Sequence, residues 1–368
     1  MSTARTLCID LRWIDSSGVG MYIKGILPGL IEILQDVSIV GLGDCARLEE
    51  FAWSRAANVR LVDCGAGRYS LAEQIQLPRA IPAGTDLFFS PYYTIPLFYS
   101  GRLAVTVHDM SHLVVPEIVN NWKKHNYARL MYCAVRRRAE MIFTVSEFTR
   151  KEFLRLTTGG PDKDIVVTPL GISPEWNDAC AGPPVRKRGY FVCVGNIKPY
   201  KNLGRLLDAF LQVRDRIPHD LVIIGQYEGL ITAESPIFFE RARAAADRVH
   251  ITGFVSQHEL LSLVAHAQAL IMPSLYEGFG LPPLEAMSAG VPVAVAHTAS
   301  LPEVCGEAAL YFDPLDVEDM ANKMIDLARD PALCADLVAL GKRRSPLFTW
   351  DSCARATAQA LRAHLPSR

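Results

Sequence analysis

Along the chain, short apolar runs alternate with longer amphipathic stretches. An apolar run of four to eight residues between turn residues reads as a strand covered on both faces, and apolar positions three and four apart read as a helix. The first half thus predicts strands at 6–13, 37–43, 58–64, 86–90, 103–108, 141–145 and 165–169. Helices at 21–35, 71–80, 121–139 and 147–156 fall between them. Residues 171–189, GISPEWNDACAGPPVRKRG, interrupt the pattern with prolines, glycines and no apolar period, as a linker does. The alternation restarts with strands at 190–194, 221–225, 249–252, 269–272, 291–296 and 309–312, and a helix at 348–362 follows Pro346. Repeated strand–helix units predict an α/β protein with two doubly wound parallel sheets. The expected division is a first domain at 1–172 to which a helix in 347–368 returns, a linker at 173–189, and a second domain at 190–346.

Composition narrows the function classes. A chain of 368 residues has room for two cores. Half its residues are hydrophobic and its net charge is −1, which argues against disorder and gives no electrostatic pointer to nucleic acid. Nine cysteines lie scattered, with no C-x-x-C pair and no zinc-ligand spacing, and read as reduced core residues. No apolar stretch of signal-peptide length precedes Asp10, and no apolar run has the 18 to 20 residues of a membrane span. A cytoplasmic protein is the expectation.

Candidate chemistry sits in loops after strands, because open parallel sheets bind ligands outside the carboxyl ends of their strands. The longest motif is SLYEGFGLPPLEAMSAGVP, residues 274–292. Gly278 and Gly280 permit a tight loop, and Pro282 and Pro283 suit the first turn of a helix whose N–H groups can hold an anion. Glu277 in the loop and Glu285 in the expected first helical turn can accept hydrogen bonds from sugar hydroxyls. Equally, Glu285 can complement the helix dipole and Glu277 can be a solvated loop residue. In VGNIKPYKNLGRLLDAF, residues 194–210, Lys198 and Lys201 precede a helix start and are placed for a diphosphate, or are solvated lysines. Near the start, Gly18 and Gly20 form a G-x-G between strand and helix with Arg12 nearby, but Ile23 breaks the full dinucleotide fingerprint. His108 and Asp109 end a strand as a base with its partner, or as an interior pair; two adjacent residues are too few for a metal. Ser146 reads as a helix cap, and Thr149 lies in the helix it would open. The stretch 120–139 carries six Lys or Arg and no acid, a basic amphipathic helix that suits anionic lipid or is a solvated face over a buried one. The aromatic run at 90–101 is acceptor surface or core.

The stretch EGFGLPPLEAMSAGVP resembles the signature of retaining glycosyltransferases with the GT-B fold, family four of the sequence-based classification, in which two Glu residues are separated by seven. The resemblance covers nearly the whole chain. It implies that Glu277 contacts donor-sugar hydroxyls, that Glu285 holds the ribose, and that the amides of Gly278, Phe279, Gly280 and Leu281 approach sugar and phosphates. Lys201 matches the phosphate-binding lysine and Asn202 its neighbour, while Asn196 and Tyr200 stand where many members carry Arg, with Lys198 as a substitute cation. In the family the glycine loop holding Gly18 and Gly20 abuts the phosphates, and the His of V-H-D, here His108, lies beside the donor sugar. The implied reaction is hexosyl transfer from a nucleoside diphosphate sugar with retention, without cofactor or metal, to a glycan or lipid-linked glycan in surface polysaccharide or glycoconjugate synthesis. The V-H-D loop and the EGFG context lean toward GDP-mannose, with UDP-glucose-type donors next. The expected location is cytoplasmic, peripheral to the inner face of the membrane through 120–139. Alternatives are a sugar-nucleotide epimerase of the same fold and a catalytically silent sugar-nucleotide-binding protein. A nicotinamide oxidoreductase would need the missing glycine fingerprint, and a periplasmic sugar-binding protein a signal peptide.

Overall fold

The computed structural model describes residues 5–70, 72–115, 122–160, 164–179, 186–226 and 234–366. Seven strands, β1 (Arg5–Asp10), β2 (Val37–Gly43), β3 (Val59–Asp63), β4 (Leu87–Ser90), β5 (Leu103–Val107), β6 (Met141–Thr144) and β7 (Ile165–Val167), form one parallel sheet in the order β3-β2-β1-β4-β5-β6-β7. Six more form a second parallel sheet: β8 (Tyr190–Val194), β9 (Asp220–Ile224), β10 (Val249–Gly253), β11 (Ala269–Met272), β12 (Val293–Ala296) and β13 (Leu310–Phe312), in the order β10-β9-β8-β11-β12-β13. The fold is therefore α/β with two doubly wound sheets, as the alternating pattern predicts. The inner strands β4, β5, β6, β9, β11 and β12 are buried along their whole length, which is why they are mostly apolar.

Described residues through Val114, those of 122–171 and those from Thr349 onward gather into one compact unit; Val115 and the described residues of 172–348 form the other. The first unit is thus completed by the helix Trp350–Ala363, which packs along the helix Ser17–Ile33. In each sheet the strand order reverses once, between β1 and β4 and between β8 and β11. Chains leaving the two strands at such a reversal diverge to opposite faces, leaving a crevice at the carboxyl end.

Two local differences from the sequence reading bear on function. The first helix begins at Ser17, so Gly18 and Gly20 lie inside its first turn and not in a loop before it. Within the segment read as a linker, Pro174–Asp178 forms a 3-10 turn that buries Trp176 completely. Among the described residues no helix is long and apolar enough to cross a membrane, no group of three or more His, Cys, Asp or Glu is placed to hold a metal ion, and the cysteines are free.

Candidate functional site

In the second unit, the loops after β8 and β11 carry the two longest motifs, and these are the strands on either side of the reversal. After Val194 the chain passes through Gly195 and Asn196 into a 3-10 turn, Pro199–Lys201. Asn202 then adopts a left-handed conformation and starts the helix Leu203–Val213. Its buried side-chain amide donates to the carbonyls of Pro273 (3.0 Å) and Pro314 (2.8 Å), fixing the turn against the ends of two neighbouring chain segments. The N–H of Leu275 donates to the carbonyl of Tyr200 at 2.8 Å, a second tie between the two loops.

These ties bring Lys201 to Glu277. The lysine Nζ donates to Glu277 Oε1 at 2.6 Å, and each side chain keeps only about a sixth or less of its exposure. The Lys201 ammonium also lies 5.6 Å from the centre of the Tyr200 ring. The loop carrying Glu277 is held from behind by Ser300, whose hydroxyl lies 2.9 Å from the Glu277 carbonyl and 2.8 Å from that of Phe279. Phe279 is buried edge-on to Phe348. Gly280, at φ +106°, caps the helix Leu281–Ser288 in a conformation closed to other residues, and a Cβ there would come within 2.7 Å of Leu301. The paired prolines remove two of the four unbonded N–H groups of the first turn. Any anion at this helix start must therefore draw on the loop amides of Gly278 to Leu281 more than on the helix itself.

Glu285 is not in the first turn, as expected, but one position past it, and its side chain is buried. It is too deep to be a surface complement to the helix dipole. Burial pushes its pKa up to about 7, partly offset by a hydrogen bond from Trp176. Trp176 is a residue that sequence reasoning missed. The available signal was a lone tryptophan in an otherwise polar, proline-rich segment, where so large an aromatic is seldom left in water. Lys198 and Arg205 line a cavity of about 580 Å³ with Ile197, Asp208, Phe238 and Arg241, in which Arg241 pairs with Asp208. Neither Lys201 nor Glu277 belongs to that lining.

In the first unit, Arg12 is engaged within the fold. Its guanidinium is paired with Asp10 at 2.6 Å and Glu73 at 2.8 Å, and also donates to the Ala66 carbonyl. All three side chains are buried. Gly18 is exposed at the helix start, whereas Gly20 is buried where a Cβ would meet the Ile14 carbonyl oxygen at 2.4 Å. His108 follows β5, with its Nε2 at 2.8 Å from the Pro91 carbonyl and its ring edge-on to Tyr22. A carbonyl only accepts, so Nε2 carries the proton and Nδ1 is the basic nitrogen of the neutral ring. Burial holds the His108 pKa below its ordinary value, which keeps the ring neutral at neutral pH. Asp109 caps the next turn through the N–H of Ser111 at 2.7 Å. Ser146 caps the helix Glu147–Leu156, and Thr149 donates to the carbonyl of His108.

The aromatic run yields a cluster in which Trp13 packs against Tyr69 and Tyr92, and Tyr93 stacks on Tyr132. The basic stretch forms the helix Trp122–Arg138, with Asn120 and Asn121 outside the described residues. Ala128, Met131, Tyr132 and Val135 face inward, Trp122 and Leu130 are exposed, and Arg138 is tied to the carbonyls of Pro96 and Leu97.

The chain is similar to known proteins. The family model described as glycosyl transferases group 1 matches residues 188–330. The O-antigen chain mannosyltransferase B of Escherichia coli is 32% identical over 286 residues, covering 74% of this chain and 73% of that protein. Among solved structures, the sucrose-phosphate synthase of Thermosynechococcus elongatus superposes with a TM-score of 0.78 at 18% identity, covering 98% of each chain. Anabaena Alr3699/HepE in complex with UDP and glucose superposes at 0.74 and 16% identity, covering 98% of this chain and 100% of that one. By these matches the chain belongs to the group 1 glycosyltransferases, with the GT-B fold.

Proposed function

We propose that this glycosyltransferase moves a mannosyl group from GDP-mannose to a glycan or lipid-linked glycan acceptor in surface polysaccharide synthesis, with retention of configuration. The observation that carries the reading is the Lys201–Glu277 pair at the reversal point of the second sheet, with Glu285 eight residues further on. A diphosphate arriving there takes the place of the Glu277 carboxylate on Lys201, and the released carboxylate accepts hydrogen bonds from hydroxyls of the donor sugar. The loop amides of Gly278 to Leu281 and Lys201 stabilise the charge that grows on the departing phosphate. In the transfer, the bond from the anomeric carbon to the phosphate oxygen breaks and a bond to the acceptor hydroxyl forms on the same face. The acceptor proton passes to the departing diphosphate. His108, with Nε2–H held by Pro91, offers Nδ1 as an acceptor for a sugar hydroxyl. No metal or cofactor is required in this scheme.

Mannosyl transfer is supported by the similarity to the Escherichia coli O-antigen mannosyltransferase. The exposed Trp122 and Leu130, beside Lys123, Lys124 and Arg129, support peripheral contact with anionic lipid. The test is incubation of the purified enzyme with GDP-mannose, UDP-glucose and a panel of glycan acceptors in chelator, with the product anomer read by NMR. An inverted product, or a donor epimerised without acceptor, overturns the scheme. Lys201→Ala is expected to lower turnover by at least about tenfold with the fold intact, the loss typical of removing one leaving-group contact. Transfer by Lys201→Ala at the wild-type rate would place the phosphate elsewhere.

A further inference from the structure

In the first sheet the strand order reverses between β1 and β4, and three loops at the carboxyl ends of its strands bring aromatic rings together. Trp13 follows β1, Tyr69 follows β3 and Tyr92 follows β4. Trp13 is edge-on to Tyr69 at 5.3 Å and tilted against Tyr92 at 4.4 Å, and the two tyrosine hydroxyls bond at 2.9 Å. The centre of the Tyr92 ring lies 6.4 Å from those of both Tyr69 and His108. Packing does not account for Tyr69. It keeps 47% of its exposure, and its φ of +59° places a bulky residue in the left-handed region, where few are found. A buried ion pair holds it there. Glu73 accepts the Tyr69 N–H on one carboxylate oxygen at 3.0 Å and the Arg12 guanidinium on the other at 2.8 Å. Ser70 fixes the same turn, its hydroxyl donating to the Gly67 carbonyl and accepting the N–H of Glu73. Beside the exposed ring, the buried Trp13 indole N–H has no hydrogen-bond partner among the described residues, which is rare in native folds.

We propose that Tyr69 and Tyr92 form an acceptor subsite on which a sugar ring of the glycan stacks, and that Glu73 is the positioning residue that presents Tyr69. The proposal rests on the reading of this chain as a transferase to a glycan, and adds where that glycan is held. A pyranose offers C–H groups on one face and hydroxyls around its rim. The electron-rich face of an exposed tyrosine attracts the first, and phenol hydroxyls at the ring edge pair with the second. Small-ligand sites combine apolar walls with a few placed polar groups in this way. The charges favour a neutral ring. Arg12 already meets Asp10 and Glu73, and all three are buried, so it offers nothing to an acceptor phosphate. Arg68 lies over the Trp13 ring at 4.8 Å and bonds to the Ser16 hydroxyl, so it too is engaged. Through Tyr92 the subsite runs toward His108, the ring assigned above to a sugar hydroxyl of the donor. A stacked acceptor is thereby held beside the residue that marks the donor sugar.

The experiment uses the full-length protein, with the neutral trisaccharides mannotriose and maltotriose as probes, titrated by saturation-transfer NMR. Tyr69→Asn removes the ring but suits the left-handed backbone, so the turn keeps its shape. It is expected to weaken trisaccharide binding by about three- to tenfold, the range for one aromatic contact, while Tyr69→Phe keeps most of the affinity. In a transfer assay the loss should fall on acceptor KM, with donor KM and the affinities for GDP and UDP unchanged. Glu73→Ala frees the Tyr69 N–H while Arg12 keeps Asp10, and is expected to weaken binding as much. Glu73→Gln, whose amide oxygen still accepts, should restore it, and Glu73→Ala should add nothing in the Tyr69→Asn background. A further loss in that background shows that Glu73 acts on the fold and not through Tyr69, which removes its positioning role. Failure of the wild type to bind either trisaccharide overturns the subsite. So does Tyr69→Asn binding them as the wild type does, or a loss that falls on donor KM. Products formed only on acceptors without a sugar sink the glycan reading, and the subsite falls with it. Glycan products made by Tyr69→Asn at the wild-type acceptor KM leave that reading standing and strike the subsite alone.

Discussion

Lys201 and Glu277 are assigned opposite tasks on the donor, yet in the free protein each occupies the other at 2.6 Å. A charge-assisted bond between partly buried groups is stronger than an ordinary one, so under the proposed function nucleotide binding displaces a carboxylate. Glu277→Gln is therefore expected to bind a free nucleoside diphosphate several-fold more tightly while sugar transfer drops at least about tenfold. Calorimetry and a transfer assay on the same preparation read the two effects, and a variant that binds diphosphate less well shows that the pair does not compete with phosphate. Glu285 gives a second signed effect. Its pKa rises on folding from 4.5 to about 7, so the folded protein holds that proton more tightly than the unfolded chain. Stability from this group is complete below pH 4.5 and is lost as pH climbs through about 7. Glu285→Gln removes the buried charge, and is expected to stabilise the protein by on the order of 2–3 kcal/mol at pH 8 and by little at pH 4.5. Thermal melts at the two pH values decide it, and an equal gain at both would mean that the Glu285 carboxyl titrates in the folded protein as it does in the unfolded chain.

The bounds of several elements were fully legible in the sequence. Strands β2, β8 and β11 and the helix Glu147–Leu156 begin and end where the apolar pattern places them. A parallel strand covered on both faces writes its bounds directly into the chain, and Ser146 marks its helix by a side-chain cap. The helix Ser17–Ile33 carries no such mark. Ser16 makes no side-chain cap and the first turn has no acid, so the start is set by tertiary packing under Gly20. The glutamate pair and Lys201 were legible because a long motif carries them, whereas the pairing of Arg12 with Glu73 spans 61 residues and leaves no local trace. Trp176 escaped for a related reason, since a 3-10 turn of five residues is too short to show a period. The support of the loop carrying Glu277 is likewise non-local. Ser300 opens the helix Leu301–Cys305 yet spends its hydroxyl on the carbonyls of Glu277 and Phe279. Ser300→Ala is expected to leave the melting temperature within about two degrees and to lower kcat/KM several-fold by loosening that loop. An unchanged kcat/KM would show that the loop is held by Gly280 and Phe279 alone.

The first unit is assembled from pieces at opposite ends of the sequence, so its stability must depend on a helix made after the second unit is complete. Trp350 covers Gly25 so closely that a Cβ there would lie 2.2 Å from the indole ring, and a Cβ on Gly29 would lie 2.8 Å from that of Ala354. Arg362 adds a bond to Asp36 at 2.8 Å and one to the Ile33 carbonyl at 2.9 Å, closing the far end of the same contact. Two small residues four apart thus let the helices approach backbone to ring, and the ring cannot yield as a flexible chain end would. Gly25→Val is expected to force the helices apart and lower the stability of the first unit by about 2 kcal/mol or more. The measurement is hydrogen exchange followed strand by strand. Amides of β5 and β6, which meet the helix pair through the Tyr22–Thr106 hydrogen bond and through the helix Trp350–Ala363, should lose protection, and a chain ending at Phe348 should lose it further. If Gly25→Val leaves β5 and β6 as protected as in the wild type, the returning helix is a passive cover and the first sheet holds itself together without it.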